Sequence, residues 1–272
     1  MSRLSALVSV VLCVWLSLGC NTLPHQTSTS ASAGFDGVSP SNMEQSRARI
    51  HTELGAGYFA RGQHGVALES LSRALAMDAA YAPAYNILAL VRAELREDKL
   101  AEEAFKRALA LSPNYSEARN NYGLYLCQRG KHGEGLSNFE TALQNPLYAT
   151  PEVALVNAGA CSLAKGEVGA AEAFFIRAYK RAPGYPGAIL GAAEMDYRAG
   201  RFLAARNKLK LLSEREGDWP AQALWLGVRV ERVLGDRDAE ASYGAQLRRR
   251  FPDAMQTQWL YLGQYDQGGG LL

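Results

Sequence analysis

A 34-residue period runs through most of this 272-residue chain and constrains its fold more than any other feature. The segments LGAGYFARGQHGVALESLSRAL (54–75) and YGLYLCQRGKHGEGLSNFETAL (122–143) share a large residue, a glycine, an Arg-Gly step and a closing Ala-Leu. Repeat starts at 48, 82, 116, 152, 186 and 220 give spacings of 34, 34, 36, 34 and 34 residues. In this register slot 8 is always small: Gly55, Ala89, Gly123, Gly159, Ala193 and Gly227. So is slot 20, with Ala67, Ala101, Gly135, Ala171, Ala205 and Ala239. Slot 24 is large: Leu71, Phe105, Phe139, Phe175, Leu209 and Tyr243. Two small residues in fixed phase let two helix backbones approach closely, and a large one fills the gap beyond. Pro113 and Pro183 fall at repeat junctions, where a helix must stop.

This pattern resembles the tetratricopeptide repeat, two antiparallel helices in 34 residues. The resemblance implies an all-α superhelical solenoid of six helix-pair repeats, 48–81, 82–115, 116–151, 152–185, 186–219 and 220–253. Each repeat then buries its apolar face only against its neighbours. The last two repeats match less closely: slot 27 is Ala in the first four, then Leu212 and Gln246. Within 254–272, a capping helix carrying Met255, Trp259 and Leu262 is expected, followed by a disordered tail, 268–272.

The N-terminus reads as an address. Met1–Arg3 is a short basic start, and Leu4–Leu18 is an apolar run too short for an ordinary membrane span of roughly 20 residues. The run closes on LSLGC, with Gly19 before Cys20, and resembles a bacterial lipoprotein signal. Residues 1–19 are therefore expected to be removed and Cys20 to be acylated, with Asn21 after it resembling an outer-membrane sorting signal. Residues 20–47, rich in Ser, Thr, Ala, Gly and Pro, read as a flexible linker. Multiple acyl chains at about 0.8 kcal/mol per buried CH₂ make a lasting tether.

Two cysteines remain in the body. Cys127 occupies slot 12 of the third repeat and Cys161 slot 10 of the fourth. Two slots apart on a helix is about 200°, so one side chain can face the next repeat while the other faces back. Export places the chain in an oxidising compartment. A Cys127–Cys161 disulfide is the expectation, with two buried thiols as the alternative.

Nothing points to catalysis. Four histidines are scattered, and no metal-ligand or nucleophile spacing of a known kind occurs. Gly62, Gly130, Gly166 and Gly200 belong to turns between paired helices rather than to a phosphate loop, and the carboxylates read as solvated outer faces. A net charge of +2 gives no basic field for nucleic acid. The expectation is a non-enzyme with no cofactor and no small-molecule substrate. The groove is the better candidate. In this repeat class the first helices line the concave face, which here would present Phe59, Asn86, Leu90, Asn120, Leu124, Gln128, Val156 and Leu163. Apolar side chains there suit an amphipathic segment, and Asn86 and Asn120 are placed to hydrogen-bond its backbone.

The stretches NNYGLYLCQRG (120–130), NPLYATPE (145–152), NAGACSLAKG (157–166) and EASYGAQLRRRFP (240–252) resemble the PilF/PilW family of type IV pilus biogenesis lipoproteins. NPLYATPE carries the two extra residues of the 36-residue spacing, which the repeat itself does not require. The resemblance implies a pilotin lipid-anchored to the bacterial outer membrane, its body facing the periplasm. Such a protein binds the pilus secretin and promotes its localisation and multimerisation. The alternative is a generic periplasmic repeat adaptor for another envelope assembly.

Overall fold

The structure, a computed structural model, describes residues 40–213 and 219–267. The expected signal peptide 1–19, Cys20, linker residues 20–39 and the tail 268–272 lie outside the described residues. Those described form thirteen α-helices and no strand. Six antiparallel pairs follow one another: α1 (Pro40–Ala60) with α2 (His64–Met77), α3 (Ala82–Glu94) with α4 (Asp98–Leu111), and α5 (Ser116–Gln128) with α6 (His132–Gln144). Then come α7 (Pro151–Lys165) with α8 (Val168–Arg181), α9 (Pro186–Arg198) with α10 (Phe202–Ser213), and α11 (Ala221–Leu234) with α12 (Arg237–Arg250). The terminal α13 (Met255–Leu262) packs against α11 and α12. One boundary moves: α1 begins at Pro40, so residues 40–47 are helix and not linker. Residues 43–47 are exposed, and the helix enters the core only at Ala48 and, one turn on, Thr52, both buried.

The packing explains the period. A Cβ added to Gly55, Gly123, Gly159 or Gly227 would come within 2.9 Å of the slot-24 side chain of the same repeat, Leu71, Phe139, Phe175 or Tyr243. Slot 8 is small chiefly to seat that large residue, and only secondarily to face slot 20. Leu71, Phe105, Phe139 and Phe175 are fully buried as a result, each burial contributing about 2–3 kcal/mol. The third repeat uses glycine in both small slots. A Cβ on Gly135 would meet the Cys127 sulfur and, at 2.8 Å, the Gly123 carbonyl oxygen.

Every turn inside a pair has the same form. The first or second residue after the helix is left-handed, and the next N–H returns to a carbonyl five residues back, as in Glu97 to Arg92 (2.9 Å) and Lys131 to Leu126 (2.9 Å). Five of the six left-handed positions are glycine, and the sixth is Arg96 at φ 60°. The junction insert has a different logic. Asn145 accepts a bond from the Leu147 N–H (3.0 Å) and donates to Ser116 Oγ (2.9 Å). Tyr148 is thereby turned inward among Phe139, Ala142 and Ala158, and Pro151 opens α7. At the far end the cap differs from expectation. Met255 and Leu262 are exposed, whereas Trp259 packs 6.0 Å from Trp225 and Thr257 is buried. Tyr265 beyond the helix stacks on the same Trp225, whose Nε1 donates to the Gln267 carbonyl (2.9 Å).

Candidate functional site

The first helices α1, α3 and α5 and the end of α7 together line a cleft of about 600 Å³. Its apolar wall is Phe59, Leu90, Ala93, Leu124 and Ala164. Phe59, Leu90 and Leu124 are half-buried, each resting on the core of its repeat with one face open. That condition suits a ligand side chain: the anchor is fixed by packing and can still lose water on contact. Gln128 and Asn121 add amides, and Glu94, Arg96 and Arg129 add charge.

Of the groove residues expected from sequence, Phe59, Leu90, Leu124 and Gln128 line this cleft. The other four do not. Asn86 and Asn120 are buried, and their amides are consumed in a relay across three repeats. Asn157 donates to Asn120 (3.0 Å), Asn120 to Asn121 (3.4 Å) and Asn121 to Asn86 (3.1 Å). Slot position correctly put them on the inner helices but could not show that they bond each other. They lock the register of α3, α5 and α7, since a buried amide left unpaired costs about 1–3 kcal/mol. Val156 and Leu163 pack against the Phe175 cluster instead.

Sequence reasoning missed Arg96, Arg129, Tyr125 and Ala164. Arg129 is held on three sides: it donates to Asp98 (2.9 Å) and the Ala93 carbonyl (3.3 Å) and lies 4.9 Å over the Tyr125 ring. Its hydrogen bond pulls the Asp98 carboxyl below the usual range. Cys127 also reaches the cleft wall. It is joined to Cys161 by a disulfide with Cα atoms 5.7 Å apart, linking α5 to α7. No group of three or more His, Cys, Asp or Glu able to hold a metal occurs among the described residues.

The same face is closed in the fifth and sixth repeats. Glu194, Asp196, Arg229 and Glu231 are all buried, which corrects the reading of the carboxylates as solvated outer faces. Arg198 (2.7 Å) and Arg229 (3.3 Å) both donate to Glu194, and Arg229 lies 4.2 Å over the Tyr197 ring. Asp196 accepts from Arg201 (2.7 Å) and Lys208, and Glu231 accepts from Arg206 (3.0 Å). Burial dominates at Glu194 and pushes its carboxyl up despite both arginines.

Comparison with known proteins places this architecture. Residues 104–144 match the tetratricopeptide repeat model. The type IV pilus assembly protein PilF of Pseudomonas aeruginosa is 32% identical over 208 residues, which cover 76% of this chain and 82% of that protein. A solved structure of P. aeruginosa PilF superposes with a TM-score of 0.71 at 30% identity, covering 81% of this chain and 99% of that one. The crystal structure of PilW, a widely conserved type IV pilus biogenesis factor, gives 0.67 at 32% identity, covering 79% and 98%.

Proposed function

Because the chain belongs to the PilF/PilW family of tetratricopeptide-repeat type IV pilus biogenesis proteins, we propose that it is a pilotin for the pilus secretin. In this reading Cys20 is acylated and anchors the protein to the outer membrane, with its body in the periplasm. The cleft between α1, α3, α5 and α7 captures an apolar segment of a secretin subunit. The sorting of the lipid carries the complex to the membrane where the subunits multimerise. While it is held, the segment is shielded from the self-association to which exposed strand edges are prone.

The observation that carries this reading is the open apolar wall of Phe59, Leu90 and Leu124, on a body that matches PilF over nearly all of that chain. A protein that works by adhesion needs an anchor surface and a tether rather than a reaction centre. Co-purification with the secretin and the amount of secretin multimer in outer-membrane fractions test it together. Leu124→Asp should abolish co-purification. Cys20→Ala should keep co-purification and lose the outer-membrane multimer. If deletion of the protein leaves secretin multimers and twitching motility intact, the pilotin reading is wrong and a general envelope adaptor takes its place.

A further inference from the structure

We propose that Arg96 is a specificity-determining residue of the cleft, where its guanidinium takes a carboxylate side chain of the apolar partner segment. This rests on the cleft being the partner site, and it adds a charge requirement that the apolar wall cannot impose.

Two independent observations carry it. The first is backbone geometry. Arg96 sits at φ 60° in the turn between α3 and α4, where the five sister turns have Gly62, Gly130, Gly166, Gly200 and Gly235 at φ between 71° and 88°. The hydrogen bonds are the same in kind: Arg96 N–H to Ala93 (3.1 Å) and Glu97 N–H to Arg92 (2.9 Å). A residue with a Cβ is disfavoured in this conformation and glycine is not, so nothing in the turn itself calls for arginine. Strain of this kind persists where the surroundings or the function hold it.

The second is position. Arg96 lines the cleft, and it is exposed. The other cation that lines the cleft, Arg129, is already engaged with Asp98 (2.8 Å), and nearby Arg92 and Lys131 pair with Glu97 and Glu102 (3.1 Å for the latter). Arg96 makes no ion pair or side-chain hydrogen bond among the described residues; it only attracts Asp98 at longer range. Glu94 also lines the cleft without an ion-pair partner, but it ends α3 in ordinary helical geometry. Arginine's planar fork suits a carboxylate, which it can hold through two parallel N–H···O bonds.

The test uses the full-length protein in detergent with purified secretin of the same bacterium, measuring Kd and thermal midpoint for each variant. Arg96→Gly should weaken binding about tenfold and leave the midpoint unchanged or higher, because it restores the sister-turn residue. Arg96→Glu should weaken it further, and raising salt should weaken the wild type more than Arg96→Gly. A loss of affinity accompanied by a lower midpoint in Arg96→Gly would assign the effect to folding and overturn the proposal. Wild-type affinity in both Arg96 variants, with Leu124→Asp inactive, would overturn it while leaving the cleft as the partner site. Wild-type affinity in Leu124→Asp, or no binding by the wild type itself, would remove the cleft reading and this inference together.

Discussion

Slot 9 of the first helix holds Leu90 and Leu124 in the second and third repeats and Glu194 in the fifth. The leucines line an open cleft, and the glutamate is buried between Arg198 and Arg229. The two regions also join their repeats differently. Between the third and fourth, α5 and α7 are linked by the Cys127–Cys161 bond inside a neutral cluster with Phe139 and Tyr148. Between the fifth and sixth, α9 and α11 meet through Glu194 and Arg229, with the Arg206–Glu231 pair alongside. A covalent link satisfies itself and leaves the neighbouring inner face free. A buried ion pair needs further hydrogen-bond partners to offset its desolvation, and at Glu194 these are Arg198 and Arg229, on the face that the cleft occupies elsewhere. One repeat unit thus supports a receptive half and a closed half.

Breaking the closed half should have the larger effect. Arg229→Ala removes a cation whose side chain is 6% exposed and leaves Glu194 buried with Arg198 alone. It also removes the packing on Tyr197. Loss of one partner from a buried pair costs about 3–5 kcal/mol. Because each repeat depends on its neighbours, amide exchange should accelerate in α9 and α11 while protection in α3–α6 persists. Uniform loss of protection along the body would show that the two halves are a single cooperative unit.

Breaking the receptive half should cost somewhat less. Cys127→Ala with Cys161→Ala opens a covalent loop of 34 residues. The chain-entropy model assigns such a loop about 3–4 kcal/mol, or a fall of roughly 10 °C in thermal midpoint. Exchange should now accelerate in α5–α8 and spare α11. A midpoint unchanged in non-reducing buffer would mean that the Phe139–Tyr148 cluster, not the bond, joins these repeats.

The contrast also shows what the sequence could and could not reveal. Slots 8, 20 and 24 place every helix pair, because a seated Phe139 or Phe175 leaves no room for a Cβ opposite and so imposes a phase. Gly135 breaks the alanine pattern of slot 20 for a reason visible only in three dimensions: the Cys127 sulfur fills its Cβ position. Slot arithmetic gives a side chain's direction but not its bonds. It therefore puts Asn86 and Asn120 on the inner face without showing that they satisfy one another through Asn121. Glu194 and Asp196 look like surface charges because Arg198 reads as an ordinary i,i+4 partner on the same helix, while Arg201 and Arg229 come from a turn and from the next repeat. Arg96 had a visible signal, a missing glycine in an otherwise regular turn, but its place in the cleft needed the fold.

The finest test of the difference is titration. Burial raises the Glu194 carboxyl above its ordinary value of 4.5, so the folded state holds that proton more tightly than the unfolded chain does. Where the folded state binds more protons, stability falls as pH rises. Glu194 should therefore weaken the fold as pH climbs from 4.5 through its raised value, the reverse of a salt-bridged surface carboxylate. Asp98, drawn down by Arg129 beside the cleft, has the opposite sign: its contribution is present above its ordinary value of 3.8 and is lost on acidification. Glu194→Gln removes the first titration and leaves the second. As pH is lowered from 7 towards 5, the thermal midpoint of the wild type should gain by a few degrees on that of Glu194→Gln. A constant difference would mean that Arg198 and Arg229 already compensate the burial in full, leaving the closed half as indifferent to acid as the disulfide-linked one.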